Sequence, residues 1–297
     1  MTKHDHHHEH SHHATGNIKV AFWLNLCFTI IEIIGGILTN SVAIISDALH
    51  DLGDSFSLGL AWYFQKVSQR GRDKKFSYGY GRFSILAAMI NSALLLAGSI
   101  YVISIAIPRI ITPEETNATG MIWLAVLGLV VNGAAAYRLS HGHSLNEKAV
   151  KLHLLEDVLG WAAVLVGAIV IKFTGWTVLD PILSIGIAVW VLFNVYKNVR
   201  SGLKIFLQGV PENQAINVIQ DLLAAQPNVI EVHDIHLWSM DGEYKILTLH
   251  VVVPQNLNLE EHITLKQNLK NLLIANGYNH VTLEMEKQGE ACCQQTC

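Results

Sequence analysis

The sequence predicts an α-helical membrane protein with six transmembrane helices, followed by a small α+β domain. The first observation is composition: of 297 residues, 51% are hydrophobic and 15% are charged, whereas soluble domains carry about 25% charged residues. The second is a set of six apolar segments long enough to cross a bilayer, at residues 18–38, 41–64, 83–111, 120–140, 150–173 and 178–197. The third is a change of pattern after residue 208, where short helical and strand patterns replace the apolar runs.

Turn-forming residues separate the segments. Gly35, Gly36 and Asn40 mark a tight connection between the first and the second. Pro113 breaks the third from the fourth, and Gly175 separates the fifth from the sixth. Glycine and proline interrupt helices, so each of these positions predicts a loop at a membrane surface.

The placement of lysine and arginine predicts the orientation of the helices. With both termini in the cytoplasm, fourteen of these residues fall on the inner side and two, Arg109 and Lys172, on the outer side. The inner ones are Lys3, Lys19, Lys66, Arg70, Arg72, Lys74, Lys75, Arg82, Arg138, Lys148, Lys151, Lys197, Arg200 and Lys204. Cytoplasmic loops are enriched in positive charge, so we expect a multi-pass protein of the inner or plasma membrane with cytoplasmic termini.

The C-terminal part predicts the order αββαβ. Helical periodicity covers 211–226 and 259–276, and strands are predicted at 229–240, 244–253 and 280–286. Asp241-Gly242 between the first two strands is a hairpin signal. The order resembles a ferredoxin-like fold that lacks one strand. We therefore expect four parts: a disordered histidine-rich tail at 1–16, a six-helix transmembrane domain at 17–208, a cytoplasmic domain at 209–287 and a cysteine-containing tail at 288–297.

Two histidine–carboxylate pairs lie within the second and fifth apolar segments. His50 and Asp54 are four residues apart, and so are His153 and Asp157. Residues at this spacing share one face of an α-helix, so two facing helices would offer two imidazoles and two carboxylates. Ionisable groups are costly in a bilayer and mark functional sites by default. The alternative is polar packing between helices.

The four side chains form a complete ligand set for a tetrahedral divalent cation such as Zn²⁺. Imidazole suits zinc better than magnesium or calcium, which prefer oxygen ligands. Histidine has an unperturbed pKa of about 6.5, and it must release its proton to bind a metal. Metal and proton therefore compete for one site, and a site that opens alternately to each side would exchange them.

Residues 41–54, residues 153–157 and the Asp180-Pro181 step that opens the sixth segment resemble the cation diffusion facilitator family, the proton-coupled zinc exporters. The resemblance covers nearly the whole chain, including the αββαβ tail. It implies that the transported metal is held by His50, Asp54, His153 and Asp157. By the same match, Asp47, Asp51 and Glu156 are not ligands, although Asp47 could orient His50.

The resemblance also implies a homodimer whose tail domains touch each other and bind regulatory zinc. The regulatory site of the family matches His233, His250 and Glu286, with His262 and Glu284 as further candidates. Four more polar residues are expected to line the interior of the membrane domain, namely Asn25, Glu32, Asn91 and Asn132.

Other metal-binding residue types lie in the predicted loops and tails. Some bacterial members carry histidines between the second and third spans, but the matching positions here are Phe76 and Tyr80, so that loop is interpreted as a basic segment near lipid headgroups. Seven histidines crowd the N-terminus, as either a metal-gathering segment or an expression tag: His4, His6, His7, His8, His10, His12 and His13. His141 and His143 could pass metal towards the membrane, and Cys292, Cys293 and Cys297 could bind zinc as thiolates.

The favoured function is export of a divalent cation in exchange for protons. One alternative is a membrane metal sensor in which nothing crosses, but a sensor does not need paired ligands on two spans. Another is an intramembrane metallohydrolase, but the sequence has no HExxH motif. We therefore expect no enzyme activity and no nucleic-acid partner.

Overall fold

The structure is a computed structural model that describes residues 23, 26–138, 145–212 and 216–290. The chain divides into two units. One combines Met1–Tyr63 with Ala87–Asn198, and we call it the helical unit. The other combines Phe64–Leu86 with Val199–Cys297, and we call it the tail unit. Each candidate site described below lies within a single unit.

Each of the six apolar segments forms a helix, which confirms the predicted helical class. The helices are α1 (Leu26–Thr39), α2 (Val42–Ser68), α3 (Phe83–Ile111), α4 (Ala118–Arg138), α5 (Leu145–Thr174) and α6 (Leu179–Phe206). Helices α3 to α6 each contain a stretch that is long and apolar enough to cross a membrane. Helix α2 has 27 residues, but Asp47, Asp51 and Asp54 make it more polar.

Close packing around one tryptophan joins α1, α4 and α5. Trp161 on α5 is fully buried, and Phe28 on α1 meets it edge-on with ring centroids 5.6 Å apart. The Trp161 ring lies so close to Gly128 on α4 that a Cβ atom there would clash with it. Glycine at 128 therefore allows α4 to approach α5, as small residues do between membrane helices.

The start of α2 is capped from a different helix. Ser41 is the N-cap, and its hydroxyl accepts a hydrogen bond from the N–H of Ile44 at 3.2 Å. The same hydroxyl donates to Oδ1 of Asp180 on α6 at 2.5 Å. The Asp180 carboxylate also accepts from the backbone N–H groups of Val42 at 2.7 Å and Ala43 at 3.3 Å. The first N–H groups of a helix need acceptors, so the buried Asp180 satisfies them and ties α2 to α6.

The turn before α2 is held by the end of α3. Asn40 has a φ of 54°, a left-handed conformation that asparagine tolerates. Arg109 donates to the Asn40 carbonyl at 2.9 Å and to its side-chain oxygen at 2.7 Å. Arg109 also forms an ion pair of 3.0 Å with Glu114, which accepts from the Asn40 amide at 3.1 Å. These contacts fix the position at which α2 begins.

The tail unit contains the predicted αββαβ order. Its elements are α7 (Ile216–Ala224), β1 (Glu231–Ser239), β2 (Lys245–Val253), α8 (Leu259–Ala275) and β3 (His280–Lys287). The sheet order is β1-β2-β3, with β1 antiparallel to β2 and β2 parallel to β3. At the β1–β2 turn, Asp241 Oδ1 accepts from the N–H groups of Glu243 and Tyr244, and Gly242 has a φ of 101°. The sequence signal for a hairpin is therefore confirmed.

One apolar core holds the tail unit together. It includes buried residues from both helices and all three strands, among them Ile219, Leu223, Leu237, Leu247, Leu269, Leu273 and Leu283. A capping box starts α8, since Asn258 and Glu261 each bond the backbone of the other. The core sets the positions of the strands, and the strands in turn place the polar residues of the second candidate site.

Replacing Asp180 tests the capping contact. Asp180→Ala removes the acceptor of one hydroxyl and two backbone N–H groups, so we expect the free energy of unfolding to fall by about 2 kcal/mol. Unfolding of the detergent-solubilised protein by sodium dodecyl sulfate measures it. Glu115→Ala is the matched control, because it removes an exposed carboxylate between α3 and α4, and surface substitutions usually change stability by less than about 0.5 kcal/mol. Equal stability of the parent and Asp180→Ala proteins would show that the contact is dispensable.

Candidate metal centres

Helix α2 presents the first histidine–carboxylate pair on one face. Nε2 of His50 lies 3.5 Å from Oδ2 of Asp54, and the two side chains are 27% and 23% exposed. A cavity of about 20 Å³ adjoins His50 and is lined mostly by apolar residues, with Ser46 and Ser99 as its other polar groups. This volume exceeds the 10–15 Å³ or so that one water molecule needs. The pair is therefore partly shielded, and a small, mainly apolar cavity adjoins it.

Helix α5 brings a further carboxylate to the same region. Asp157 is buried, and it lies close enough to Asp47 and Asp51 of α2 for their charges to interact. Oδ1 of Asp47 is 3.8 Å from the position that a Cβ atom on Gly160 would occupy, so α2 and α5 are in contact at this level. His153 lies on α5, but its side chain is outside the part of the chain that the structure describes.

Three more acidic residues are buried beside these positions, namely Glu32, Asp47 and Asp51. Both carboxylate oxygens of Glu32 and of Asp51, and Oδ2 of Asp47, have no hydrogen-bond partner among the described residues. Buried polar groups are normally hydrogen-bonded, so this cluster is unusual. Asn132 is buried and Asn91 is half-buried, whereas Asn25 lies outside the described residues.

The sheet of the tail unit assembles a second cluster. His233 of β1 pairs with His250 of β2, and the register of β3 places Glu284 opposite His250 and Glu286 opposite Val252. Residues 250 and 252 share a face of the strand, so these side chains converge. Nδ1 of His250 lies 2.5 Å from Oε1 of Glu286, and Nε2 of His233 lies 3.5 Å from Oε2 of the same carboxylate.

Three of these side chains have the arrangement of a metal site. His233, His250 and Glu286 each offer a ligand atom, and all three atoms lie within 4.8 Å of one another. Two imidazoles and a carboxylate are a common zinc ligand set that leaves one position open. The structure thus brings together three residues of the predicted cytoplasmic set.

The two further candidates occupy different positions. Glu284 is exposed, and its Oε2 lies 3.4 Å from Nε2 of His250, so it borders the cluster. His262 lies half-buried on α8, and among the described residues its side chain forms no hydrogen bond or ion pair with the cluster. The N-terminal histidines, His141, His143 and the three C-terminal cysteines lie outside the described residues.

The sequence analysis missed Asp234, which borders the same cluster. Its Oδ1 lies 2.8 Å from Nε2 of His236 and its Oδ2 lies 3.5 Å from Nε2 of His250. The β1–β2 register shifts between His233 and His236, and Asp234 has a φ of 48°. This bulge turns Asp234 towards the histidines, whereas regular alternation would place it on the opposite face from His233. Asp234 lies between His233 and His236 in the sequence, and this proximity could have marked it as a candidate.

Two family models match nearly the whole of the chain. Residues 18–207 match the cation efflux transmembrane domain, and residues 211–288 match the cytoplasmic domain of cation efflux proteins. The chain belongs to the cation diffusion facilitator family. It is therefore a multi-pass membrane protein and a transporter of cations rather than an enzyme.

Relatives of known name are similar over most of their length. The metal cation efflux system protein CzcD of Cupriavidus metallidurans is 38% identical over 93% of this chain and 89% of its own. The cadmium, cobalt and zinc/H(+)-K(+) antiporter of Bacillus subtilis is 35% identical over 94% and 92%. The zinc transporter ZitB of Escherichia coli is 32% identical over 96% and 93%.

Removing a histidine of the tail cluster tests metal binding there. In a chain that lacks the first 16 residues, we expect His250→Ala to lower the zinc bound at saturation by about one ion per chain, as measured by equilibrium dialysis. His280→Ala is the matched control, because His280 lies on the same sheet but contacts the ring of Tyr78 instead. If both variants bound as much zinc as the parent, the cluster would not be a metal site.

Replacing Asp234 tests the contribution of the bulge. Asp234→Asn keeps a residue that tolerates the left-handed backbone but removes the carboxylate charge beside His250 and His236. Loss of such an outer partner weakens metal binding by about 10–100-fold, so we expect the zinc affinity of the tail cluster to fall at least about tenfold. Competition with a chelating dye measures the affinity, and Asp221→Asn on α7 is the control. An unchanged affinity in Asp234→Asn would exclude this role.

Proposed function

We propose that this protein exports Zn²⁺ from the cytoplasm in exchange for protons by alternating access. The observation that carries the proposal is the meeting of two helices inside the membrane domain. Helix α2 carries His50 and Asp54 on one face, and α5 carries Asp157 within electrostatic range of the acidic residues of α2. With His153 on α5, this region contains the ligand types of a four-coordinate zinc site.

The charges of the proposed ligands suit a divalent cation. Asp54 and Asp157 together balance the two positive charges of Zn²⁺, while His50 and His153 bind as neutral imidazoles. Neutral imidazole also suits zinc better than it suits the hard cations magnesium and calcium. A neutral complex avoids much of the cost of placing a charge in an apolar region.

The same site can release the metal to protons. A histidine must release its proton to bind a metal, so metal and protons compete for His50 and His153. The buried carboxyl groups of Glu32, Asp47 and Asp51 are further positions that protons occupy in this proposal. Several carboxylates close together are stable in an apolar environment when protons or metal ions neutralise part of their charge. Loss of the metal is therefore balanced by uptake of protons, which is the exchange of an antiporter.

The names of the relatives support this choice of substrate. Proteins that are 32% and 35% identical to this chain are named a zinc transporter and a cadmium, cobalt and zinc antiporter. We infer zinc as the principal substrate, and cadmium and cobalt as the competing ions that selectivity measurements should include.

We infer that the tail domain regulates this transport as part of a homodimer. The family model matched by residues 211–288 is named for dimerisation, and the same residues of this chain contain the cluster of His233, His250 and Glu286, which could hold a metal ion. Fourteen lysine and arginine residues on one side, against two on the other, support cytoplasmic termini. The proposed domain limits are 17–208 for the membrane domain and 209–287 for the cytoplasmic domain.

The tail cluster also favours a second candidate function, a membrane metal sensor without transport. In that case zinc would bind His233, His250 and Glu286, and the helices would only anchor the domain. The two functions differ in one measurable respect, because a sensor would not move zinc across a membrane.

Zinc uptake into proteoliposomes distinguishes transport from sensing. With an acidic lumen, protons leave as zinc enters, so we expect uptake that stops when an ionophore collapses the pH gradient. Asp157→Ala and His50→Ala should each lower the rate of zinc uptake by at least about tenfold. Loss of a residue that only hydrogen-bonds a metal ligand already lowers metal affinity or activity by about that factor. A zinc-sensitive dye inside the vesicles reports the rate.

The matched control is Glu156→Ala, which removes an exposed carboxylate one position from Asp157 on α5. It should transport zinc at the parental rate. Transport at the parental rate by Asp157→Ala would remove this residue from the site, and transport that ignores the pH gradient would contradict proton exchange. No uptake by the parent would favour the sensor.

A further inference from the structure

The loop before α3 is folded around one aspartate. Asp73 Oδ1 accepts from the N–H groups of Lys75 at 2.7 Å and Phe76 at 2.8 Å, and Oδ2 accepts from the hydroxyl of Tyr80 at 2.8 Å. The hydrogen bonds from Phe76, Tyr80 and Lys75 hold the pKa of Asp73 below its usual value. Asp73 is therefore charged at neutral pH, and its charge is used within the loop.

Aromatic rings from this loop and from β1 surround a pocket of the tail unit. The pocket has a volume of about 360 Å³ and is lined by Lys75, Phe76, Tyr78, Tyr80, Arg82 and Trp238, among others. Tyr78 meets Trp238 edge-on, with ring centroids 5.6 Å apart. The Phe76 and Tyr80 rings are 4.5 Å apart. These rings form an aromatic wall on the loop side of the pocket.

Arg82 supplies this pocket with hydrogen-bond donors that the protein does not use. Its guanidinium lies over the Trp238 ring, 5.1 Å from the centroid, which holds it by a cation–π contact. Nε and Nη2 of Arg82 are buried and have no hydrogen-bond partner among the described residues. Buried polar groups without a partner are costly. Both nitrogens are covered in this conformation, so a ligand would stabilise the pocket by drawing the Arg82 side chain towards it and accepting these two hydrogen bonds.

The lining of the pocket favours an anion, because it includes Lys75 and Arg82 and, among the described residues, no carboxylate. Asp73 keeps its negative charge nearby but is hydrogen-bonded within its own loop. Asp241, at the hairpin beside Gly81, uses Oδ1 to accept from two backbone N–H groups, and no ion pair joins it to Arg82 among the described residues. Helix α3 starts one residue later, at Phe83, and the start of a helix adds positive potential.

We propose that this pocket binds a phosphate group, with Arg82 as the bidentate ligand and Lys75 as a second positive charge. Nε and Nη2 of arginine form a fork that matches two phosphate oxygens. The phosphate belongs to an anionic phospholipid headgroup or to a soluble phosphate ion. Because α3 is a candidate membrane span that begins at Phe83, the pocket lies at the level of a span end, where headgroups are found. The aromatic rings would contact the apolar stem of such a lipid.

Lipid binding by the full-length protein tests the proposal. Native mass spectrometry of the detergent-solubilised chain would count bound phosphatidylglycerol and phosphatidylcholine, which carries the same phosphate beside a positive choline. We expect the parent to prefer phosphatidylglycerol. We expect Arg82→Gln to bind phosphatidylglycerol about fivefold more weakly, because the loss of one basic residue at a membrane surface weakens binding to anionic lipid by about this factor. We expect Lys75→Gln to bind phosphatidylglycerol more weakly as well. Calorimetry with inorganic phosphate, in detergent without lipid, forms the second arm.

The matched control is Arg72→Gln, which removes the same charge from an exposed position of the same loop. It should bind phosphatidylglycerol like the parent. Binding of inorganic phosphate that depends on Arg82 would support the site and make soluble phosphate its source. Equal phosphatidylglycerol binding by Arg82→Gln and the parent, with no phosphate binding that depends on Arg82, would overturn the proposal. If Arg82→Gln fails to fold, the test rests on Lys75→Gln, which changes an exposed residue. Unchanged binding of phosphatidylglycerol by Lys75→Gln would then overturn the proposal.

Discussion

The constraint that shapes the helical unit is the burial of carboxylates among apolar helices. Glu32, Asp47, Asp51 and Asp157 are all buried, and several are close enough for their charges to interact. Such a group of like charges is stable only with compensating cations, either metal ions or protons. The rest of the unit serves to hold this group in place: Asp180 ties α2 to α6, and Gly128 lets α4 approach α5 through Trp161. In the proposed exchange, this group of carboxylates is the place where metal ions and protons compete.

In the tail unit, strand register rather than helix packing brings the polar residues together. Strand register places His233, His250 and Glu286 side by side, and the apolar core behind them fixes the strands. The bulge at Asp234 adds a carboxylate next to two histidines. Within the cluster, His250 and Glu286 are buried and His233 is half-buried, whereas Glu284 at its border is exposed. The cluster therefore depends on hydrogen bonds and ion pairs among its own members to offset the cost of burial.

Much of the fold could be predicted because hydrophobic periodicity is a local property. The third helix was predicted at 83–111 and α3 spans Phe83–Ile111, since the change from polar to apolar residues is abrupt at both ends. The sixth was predicted to end at 197, but α6 continues to Phe206, because no proline interrupts the polar turns that follow and Gly202 is accommodated within the helix. The hairpin at Asp241-Gly242 was predicted correctly, since glycine there adopts the positive φ of the turn. The position of Asp234 beside the histidines could not be predicted from the alternation of side chains along a strand, because a bulge changes the face on which a residue lies.

The sequence by itself determined the class of protein, the membrane helices and the residue types of both candidate sites. Spacing alone places His50 and Asp54 on one helical face, since α-helix geometry is independent of the rest of the chain. The tertiary structure decided which distant groups meet: Asp157 with the acids of α2, Asp180 with the start of α2, and Arg82 with Trp238. These contacts join residues far apart in the chain, and they depend on helix packing and on strand register. The paired histidines and carboxylates thus predict a metal site from the sequence, and the packing of α2 against α5 brings acidic residues of both helices together.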